Sequence, residues 1–242
     1  MVFIGGLVRG FTDNFSDVDI TVILEKKDNQ LRSRIRKMGF QKQKHSGVDI
    51  DLEVHFLEDF RKHNWSEIAR WEFSRARIVY DPKGRVKKLF AEKLKTPRDF
   101  WVRRIVICNE YLRWYCCPAR KSEGTMAEAW VERGDLVSAH YCLSYAVDLL
   151  FRLVFALNKE YLPAPKWRIY YASNLKWLPH RFEAAMKEAM IVKDFSAKDF
   201  DRRLKAIMEI GAHARAKIAK ETGLTPSLTS KYYVERILHQ GT

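Results

Sequence analysis

The segment from Val48 to Phe56 constrains the fold more than any other, because apolar and polar residues alternate in it without a break. A period of two places successive side chains on opposite faces of a β-strand. We expect the apolar face to pack on a core. Its residues are Val48, Ile50, Leu52, Val54 and Phe56. The opposite face carries Asp49, Asp51, Glu53 and His55, a row of acids where an ordinary edge strand more often carries lysine or threonine.

A second pair of aspartates follows a glycine-rich turn near the start of the chain. The segment 3–24 predicts an apolar strand, a turn at Gly5-Gly6, a polar loop and a second strand that carries Asp17 and Asp19. Two residues apart, these carboxylates share one face at a separation of about 7 Å, and they repel unless a cation lies between them. Mg²⁺ held by carboxylates and substrate phosphates satisfies that need, and the glycines let backbone amides approach a phosphate. The pattern favours chemistry on a nucleotide triphosphate, and beside it the acidic face of 48–56 is predicted to be functional.

Strand patterns are confined to the first part of the chain. Strands are predicted at residues 1–9, 18–24 and 48–56, with a short one near Ile78. After residue 82, apolar residues recur at i, i+3 and i+4 almost to the end, which is typical of helices. The predicted helices there include 85–95, 100–114, 126–133, 136–158, 167–177, 181–190, 197–222 and 228–239. The fold class is therefore α+β, a small mixed-sheet domain at residues 1–95 followed by an all-helical domain at residues 96–242.

The chain is strongly basic, with 44 Lys and Arg against 30 Asp and Glu and a net charge of +14. Residues 1–95 hold 20 basic and 14 acidic residues, and the remainder holds 24 and 16, so both halves share the excess. A basic surface suits polyanions in general and does not choose between ATP and RNA. Nucleic acid is thus a possible partner that nothing in the pattern favours.

Other features predict a cytoplasmic protein without a membrane span. No run of eighteen apolar residues occurs, since Asp148 and Arg152 interrupt the most apolar segment, and no leader pattern precedes the first strand. The four cysteines form no metal-binding or redox spacing, so we expect free, buried thiols. They are Cys108, Cys116, Cys117 and Cys142.

Together, Gly5-Gly6, the ten residues that follow and Asp17-Val18-Asp19 resemble the signature of the polymerase-β-type nucleotidyltransferase superfamily. Arg9-Gly10 and Ser16 also stand where members often place Arg-Gly and Ser. The third carboxylate of that family lies on a neighbouring strand. The resemblance gives that place to Asp49 as first choice and to Asp51 as second. The helical half is similar in layout to aminoglycoside- and lincosamide-modifying adenylyltransferases, the small-substrate branch.

The resemblance implies a specific use of these residues. Asp17 and Asp19 would bind Mg²⁺ on the triphosphate of ATP or another NTP, and Asp49 would complete a second metal position, with Asp51 as a further metal ligand. Phosphate contacts would come from Gly5, Gly6, Arg9 and Ser16, and from Lys166 in a helical domain that holds the substrate and closes on the nucleotide. The implied reaction moves a nucleoside monophosphate, AMP from ATP being favoured, to a hydroxyl of a small molecule, with Asp49 a possible base.

Alternatives remain open at this level. The acceptor could be a protein, as in AMPylating antitoxins of toxin–antitoxin pairs, or the fold could serve as a non-enzymatic nucleotide- or RNA-binding module. Lys166-Trp167 could simply begin a helix, with the indole in the core. Asp148 is predicted to pair with Arg152 at i+4, and Asp135 to cap a helix.

Overall fold

The computed structural model describes residues 1–25, 28–39, 43–45, 47–97, 99–118 and 124–238. The chain divides into two compact units, Met1–Thr96 and Pro97–Thr242. This division lies next to the boundary predicted at residue 95. The first unit contains a mixed sheet and the second contains helices alone among its described residues, which confirms the α+β class.

The first unit is built on a five-stranded sheet with the order β3-β4-β2-β1-β5. Its strands are β1 Val2–Phe3, β2 Val18–Leu24, β3 Gln43–His45, β4 Val48–Phe56 and β5 Arg77–Ile78. The two long strands, β2 and β4, are parallel neighbours. Strand β3 pairs antiparallel with β4, β1 pairs antiparallel with β2, and β5 pairs antiparallel with β1. The two long strands β2 and β4 thus form the centre of the sheet, where each has a partner on both sides.

The first strand is much shorter than the predicted 1–9. Gly5 adopts a left-handed conformation with φ 74°, and a short 3₁₀-helix, Leu7–Arg9, follows at once. A left-handed residue turns the chain out of the extended path, so the sheet ladder ends at Phe3. The predicted bounds 1–9 were too long because they ran through Gly5-Gly6, where the predicted turn is indeed found.

Among the described residues, four α-helices complete the first unit: α1 Asn29–Gly39, α2 Leu57–Lys62, α3 Glu67–Ser74 and α4 Arg85–Leu94. Their main core includes Phe60, Trp65, Phe73 and Leu89, packed with Val2 of β1. Ile23 packs against the same cluster, so this core lies on the sheet face that also carries Asp19 and Thr21.

The apolar face of β4 is covered less completely than the sequence predicts. Phe56, at the end of the strand, is 2% exposed, but Ile50, Leu52 and Val54 are half-buried. Val48 is 44% exposed. Helix α1 contacts β4, and the expectation that the whole face packs on a core is met only at Phe56.

The second unit contains seven described helices. They are α5 Phe100–Tyr115, α6 Met126–Glu132, α7 Leu136–Leu157, α8 Pro165–Ala172, α9 Phe182–Met190, α10 Ala197–Thr222 and α11 Pro226–Arg236. The last predicted helix, 228–239, extends to residue 239, which lies outside the described residues. Helix α7 packs against α5, α6, α8, α9 and α10 and so forms the centre of this unit. By length and composition alone α7 could cross a membrane, but 67% of its most apolar window is buried, as in a core helix.

Several local predictions in this unit are confirmed. The carboxylate of Asp135 accepts a hydrogen bond from the Ser138 backbone N–H at 2.9 Å, which caps α7. Asp148 pairs with Arg152 at 2.6 Å, and Arg168 of α8 donates to the other carboxylate oxygen. The four cysteines are buried and free.

Candidate active site

The register between β2 and β4 brings aspartates from two strands together. Asp19 stands directly opposite Asp51 in the parallel ladder, and Asp17 precedes Asp19 by two residues. One carboxylate oxygen from each of the three lies within 4.8 Å of the others, and all three side chains are half-buried. Three negative charges this close repel one another, and a cation bound between them would offset that repulsion.

The glycine turn lies directly on this carboxylate group. The backbone N–H of Ile4 donates to the carbonyl oxygen of Asp19 at 3.1 Å, which fixes the turn above the strand. A Cβ at Gly5 would stand 1.8 Å from Asp19 Oδ2, so any other residue here would displace the Asp19 carboxylate or the turn. At Gly6, a Cβ would stand 3.1 Å from the carbonyl oxygen of Phe11. The two glycines therefore let backbone approach where side chains would block it.

Asp49, the first choice for the third carboxylate, does not join the group; Asp51, the second choice, does. Both residues lie on one face of β4, but Asp51 is the one in register with Asp19. Asp49 lies about 7 Å further back along the strand, opposite Lys44 of β3. Its Oδ1 atom is buried and has no hydrogen-bond partner among the described residues. The register between strands, which decides the choice, is not encoded in the alternation.

Arg9 contacts helix α3, and its predicted contact with a phosphate stays a prediction. Its guanidinium donates to the carbonyl oxygen of Trp71 and to Ser74 Oγ, the latter at 3.0 Å. The guanidinium carbon also lies 3.7 Å from the centroid of the Trp71 ring. Arg9 thus ties the segment after the glycine turn to α3. Sequence reasoning missed Trp71 and Ser74 as functional supports, since a contact between elements so distant in the chain leaves no local signal.

Ser16 closes the loop that leads into β2. Its hydroxyl donates to Asp13 Oδ1 at 2.9 Å and accepts from the Asp13 backbone N–H at 2.8 Å. Asp13 Oδ1 also accepts from the Phe15 backbone N–H at 2.9 Å. These bonds hold the loop in one conformation next to Asp17. A phosphate contact by Ser16 stays a prediction.

The acidic face of β4 continues beyond the aspartates as a carboxylate–imidazole pair. His55 Nε2 donates to Glu53 Oε2 at 3.3 Å, and this hydrogen bond lowers the pKa of Glu53. The His55 ring stacks on Phe60, with centroids 4.6 Å apart. Glu53 is therefore held as an anion on the face that carries Asp51.

Lys166 lies in the second unit, on the first turn of α8. Its side chain is exposed, and its Nζ atom lies 5.6 Å from the centroid of the Trp167 ring. The alternative that this dipeptide begins a helix is confirmed, although the indole is only half-buried. Its contact with a triphosphate stays a prediction.

The donor set fits Mg²⁺. Carboxylate oxygens are the ligands that hard divalent cations prefer, and Mg²⁺ is commonly bound by one or two carboxylates together with substrate phosphates. The oxygens of Asp17, Asp19 and Asp51 lie within 4.8 Å of one another, close enough for small side-chain rotations to place them on one ion. The turn at Gly5 leaves backbone rather than side chain beside that position.

Comparison with protein families agrees with this geometry. Residues 1–78 match the family model described as nucleotidyltransferase domain. The first unit is similar to nucleotidyltransferase domains. That similarity supports nucleotidyl transfer as the general activity and a nucleotide triphosphate as the substrate class. Residues 62–168 match a second model, described as a domain of unknown function (DUF4037).

Among solved structures, the chain is similar to the crystal structure of a nucleotidyltransferase-like protein from Exiguobacterium sibiricum 255-15. The identity is 11% and the TM-score is 0.45, over 90% of this chain and 70% of that one. A search of curated proteins found no match. The functional comparison therefore depends on the family model for residues 1–78.

Proposed function

We propose that this protein is a Mg²⁺-dependent nucleotidyltransferase that moves a nucleoside monophosphate, AMP from ATP, to a hydroxyl of a small molecule. One observation carries the proposal: the carboxylates of Asp17, Asp19 and Asp51 converge within 4.8 Å beneath a glycine turn. The match of residues 1–78 to the nucleotidyltransferase domain supports the reaction type. The all-helical second unit is the part of the chain that would bind the acceptor.

The aspartates and the glycine turn would have different roles. Asp17, Asp19 and Asp51 would hold the cation, and the backbone at Gly5 and Gly6 would approach the phosphates. When bound, Mg²⁺ would neutralise charge on the triphosphate and on the oxygens that exchange at the α-phosphate. These residues position and neutralise the reacting groups, without a covalent intermediate.

A hydroxyl acceptor must lose its proton, and Asp49 is our candidate for that role. It lies on the same face of β4 as Asp51 but outside the metal group, so its carboxylate is not needed as a ligand. Its buried Oδ1 has no hydrogen-bond partner among the described residues, so a deprotonated Asp49 gains stabilisation from any incoming donor. Lys166 remains our candidate for a triphosphate contact from the second unit.

The test compares single Asp→Asn variants that preserve shape and remove charge. We expect Asp17→Asn, Asp19→Asn and Asp51→Asn each to reduce Mg²⁺-dependent pyrophosphate release from ATP at least about a hundredfold. The matched control is Asp28→Asn. The Asp28 carboxylate caps α1 through the backbone N–H groups of 30 and 31, a role that an asparagine oxygen retains.

Several candidate acceptors are tested, because the residues of the site do not identify the acceptor. Aminoglycosides, lincosamides and a cell lysate, each with α-labelled NTPs, cover small-molecule and protein acceptors and all four bases. Label on a small molecule from ATP supports the proposal. Label on a protein would show that the acceptor is a protein rather than a small molecule. Unchanged pyrophosphate release in all three variants would contradict the assignment of the aspartates. Tight, salt-sensitive RNA binding with no NTP consumption would contradict the enzymatic proposal itself.

A further inference from the structure

A cavity lies inside the second unit, between α5 and α10, with α7 at its base. Its deep wall consists of buried side chains, among them Leu112, Leu153 and Ile218. The cavity volume is about 80 Å³. A mostly apolar lining with a few polar groups is the usual composition of a small-molecule site.

The mouth of the cavity carries a cation that is available to a ligand. Arg215 of α10 is exposed, and within the described part of the chain its guanidinium makes no ion pair or hydrogen bond. Across the cavity, Arg113 of α5 already binds Glu110 at 3.2 Å and Ser230 Oγ at 2.6 Å. The charge of Arg113 is therefore neutralised locally, and Arg215 is the lining residue whose charge an incoming anion would complement.

A glycine in the middle of α10 keeps the cavity wall open. Gly211 lies one helical turn before Arg215 on the same face of α10, and glycine destabilises a helix interior relative to alanine. A Cβ at this position would meet only Cys117, at 3.4 Å from Sγ, which is an ordinary contact. Close packing therefore does not require glycine here. Its effect is to leave space where the wall faces the cavity.

We propose that this cavity binds a small aliphatic monocarboxylate. The hydrocarbon chain would lie against Leu112, Leu153 and Ile218, and the carboxylate would pair with Arg215 at the mouth. An apolar interior excludes a charged group, whereas the guanidinium of Arg215 at the rim, which has no ion-pair partner among the described residues, matches a single negative charge. The site lies wholly within residues 97–242 and does not involve the aspartates of the first unit. It is independent of the proposed nucleotidyl transfer.

The experiment uses sodium hexanoate as the probe and hexanamide as its uncharged counterpart, with binding measured by isothermal titration calorimetry. We expect saturable binding of hexanoate, an affinity that rises about fourfold per methylene from butyrate until the cavity is full, and weaker binding of hexanamide. Arg215→Ala should weaken hexanoate roughly fivefold and leave hexanamide unchanged. Lys205→Ala removes the same charge from an exposed position on α10 outside the cavity and should match the unmodified chain.

Two further measurements test whether the ligand binds in the cavity. Hexanoate should slow alkylation of Cys117 by N-ethylmaleimide, because the thiol lies on the cavity wall. Gly211→Ala should raise the melting temperature yet weaken octanoate, a combination that a purely structural glycine would not give. The proposal is overturned by no saturable binding of hexanoate, by equal affinities for acid and amide, by no protection of Cys117, or by the same effect of Arg215→Ala and Lys205→Ala.

Discussion

Substituting Gly5 by alanine should disturb both the backbone of the glycine turn and the carboxylate group that the turn contacts. Gly5 has φ 74°, a left-handed conformation that costs a residue with a Cβ about 1–2 kcal/mol. The added Cβ would also lie 1.8 Å from Asp19 Oδ2 and 2.8 Å from Asp19 Cγ. Atoms cannot remain at 1.8 Å without a bond, so either the Asp19 carboxylate rotates away from Asp17 and Asp51 or the turn opens.

Gly10 provides the matched control. Its φ is 77°, nearly that of Gly5, but a Cβ there would meet no described atom within 4 Å. Gly10→Ala therefore imposes the backbone cost alone, and the difference between the two variants isolates the contact with Asp19. We expect Gly10→Ala to lose about 1–2 kcal/mol of unfolding free energy and to bind a divalent cation normally. Gly5→Ala should lose more and bind the cation at least about tenfold more weakly.

The assay combines urea unfolding with titration of Mn²⁺, a paramagnetic substitute for Mg²⁺, followed by electron paramagnetic resonance. Cation binding is measured without an acceptor, so the result does not depend on knowing the second substrate. If Gly5→Ala matches Gly10→Ala in both stability and Mn²⁺ affinity, the close approach of the turn to Asp19 does not shape the site. The structural reasoning about the glycine turn would then be refuted.

The metal ligands, Arg9 and Glu221 can each be tested by substitution. Asp51→Asn should abolish Mn²⁺ binding, whereas Asp49→Asn should retain Mn²⁺ binding and slow acceptor-dependent turnover. The Mn²⁺ titration and a turnover assay distinguish the two variants. The reverse pattern would restore Asp49 as the metal ligand. Arg9→Ala should destabilise the first unit by about 1.5–3 kcal/mol, because the hydrogen bonds of a charged group are lost, and urea unfolding that matches the unmodified chain would contradict this role. In the second unit, the hydrogen bond from Lys217 holds the pKa of Glu221 below its usual value of 4.5. A lowered pKa stabilises the fold above pH 4.5, and this contribution is lost as the pH falls below that value, so Glu221→Gln should lower the melting temperature at pH 7 and flatten its decline in acid. Parallel melting curves for both proteins from pH 7 to pH 3 would show that the pair contributes nothing.

The central strands could be predicted residue by residue, and the reason is physical. The segments 18–24 and 48–56 occur as β2 and β4 with the predicted bounds. Alternation is unbroken in 48–56 and holds from Val18 to Val22 in the other segment, which suits an extended chain with two different faces. The predicted bounds 1–9 were too long because they ran through the turn at Gly5-Gly6, where the sheet ladder ends. Alternation therefore predicts the strands that have it, and the glycine turn limits the one that lacks it.

The site was predictable in composition but not in register. Alternation places Asp49 and Asp51 on one face of β4 equally, and only the pairing of Asp19 with Asp51 separates them. The contact between Arg9 and Trp71 could not be predicted for a similar reason, because tertiary packing brings the two residues together. Short-range patterns determine which residues share a face. Contacts between distant segments determine which of those residues meet.

The most direct test of the central claim follows the label from ATP onto an acceptor. Parallel reactions with α-labelled and γ-labelled ATP, Mg²⁺ and the acceptor panel distinguish nucleotidyl transfer from phosphoryl transfer. We expect the α-label to move to the acceptor, the γ-label to leave as pyrophosphate, and Asp19→Asn to abolish both. Transfer of the γ-label to an acceptor, or α-label transfer that persists in Asp19→Asn, would contradict it.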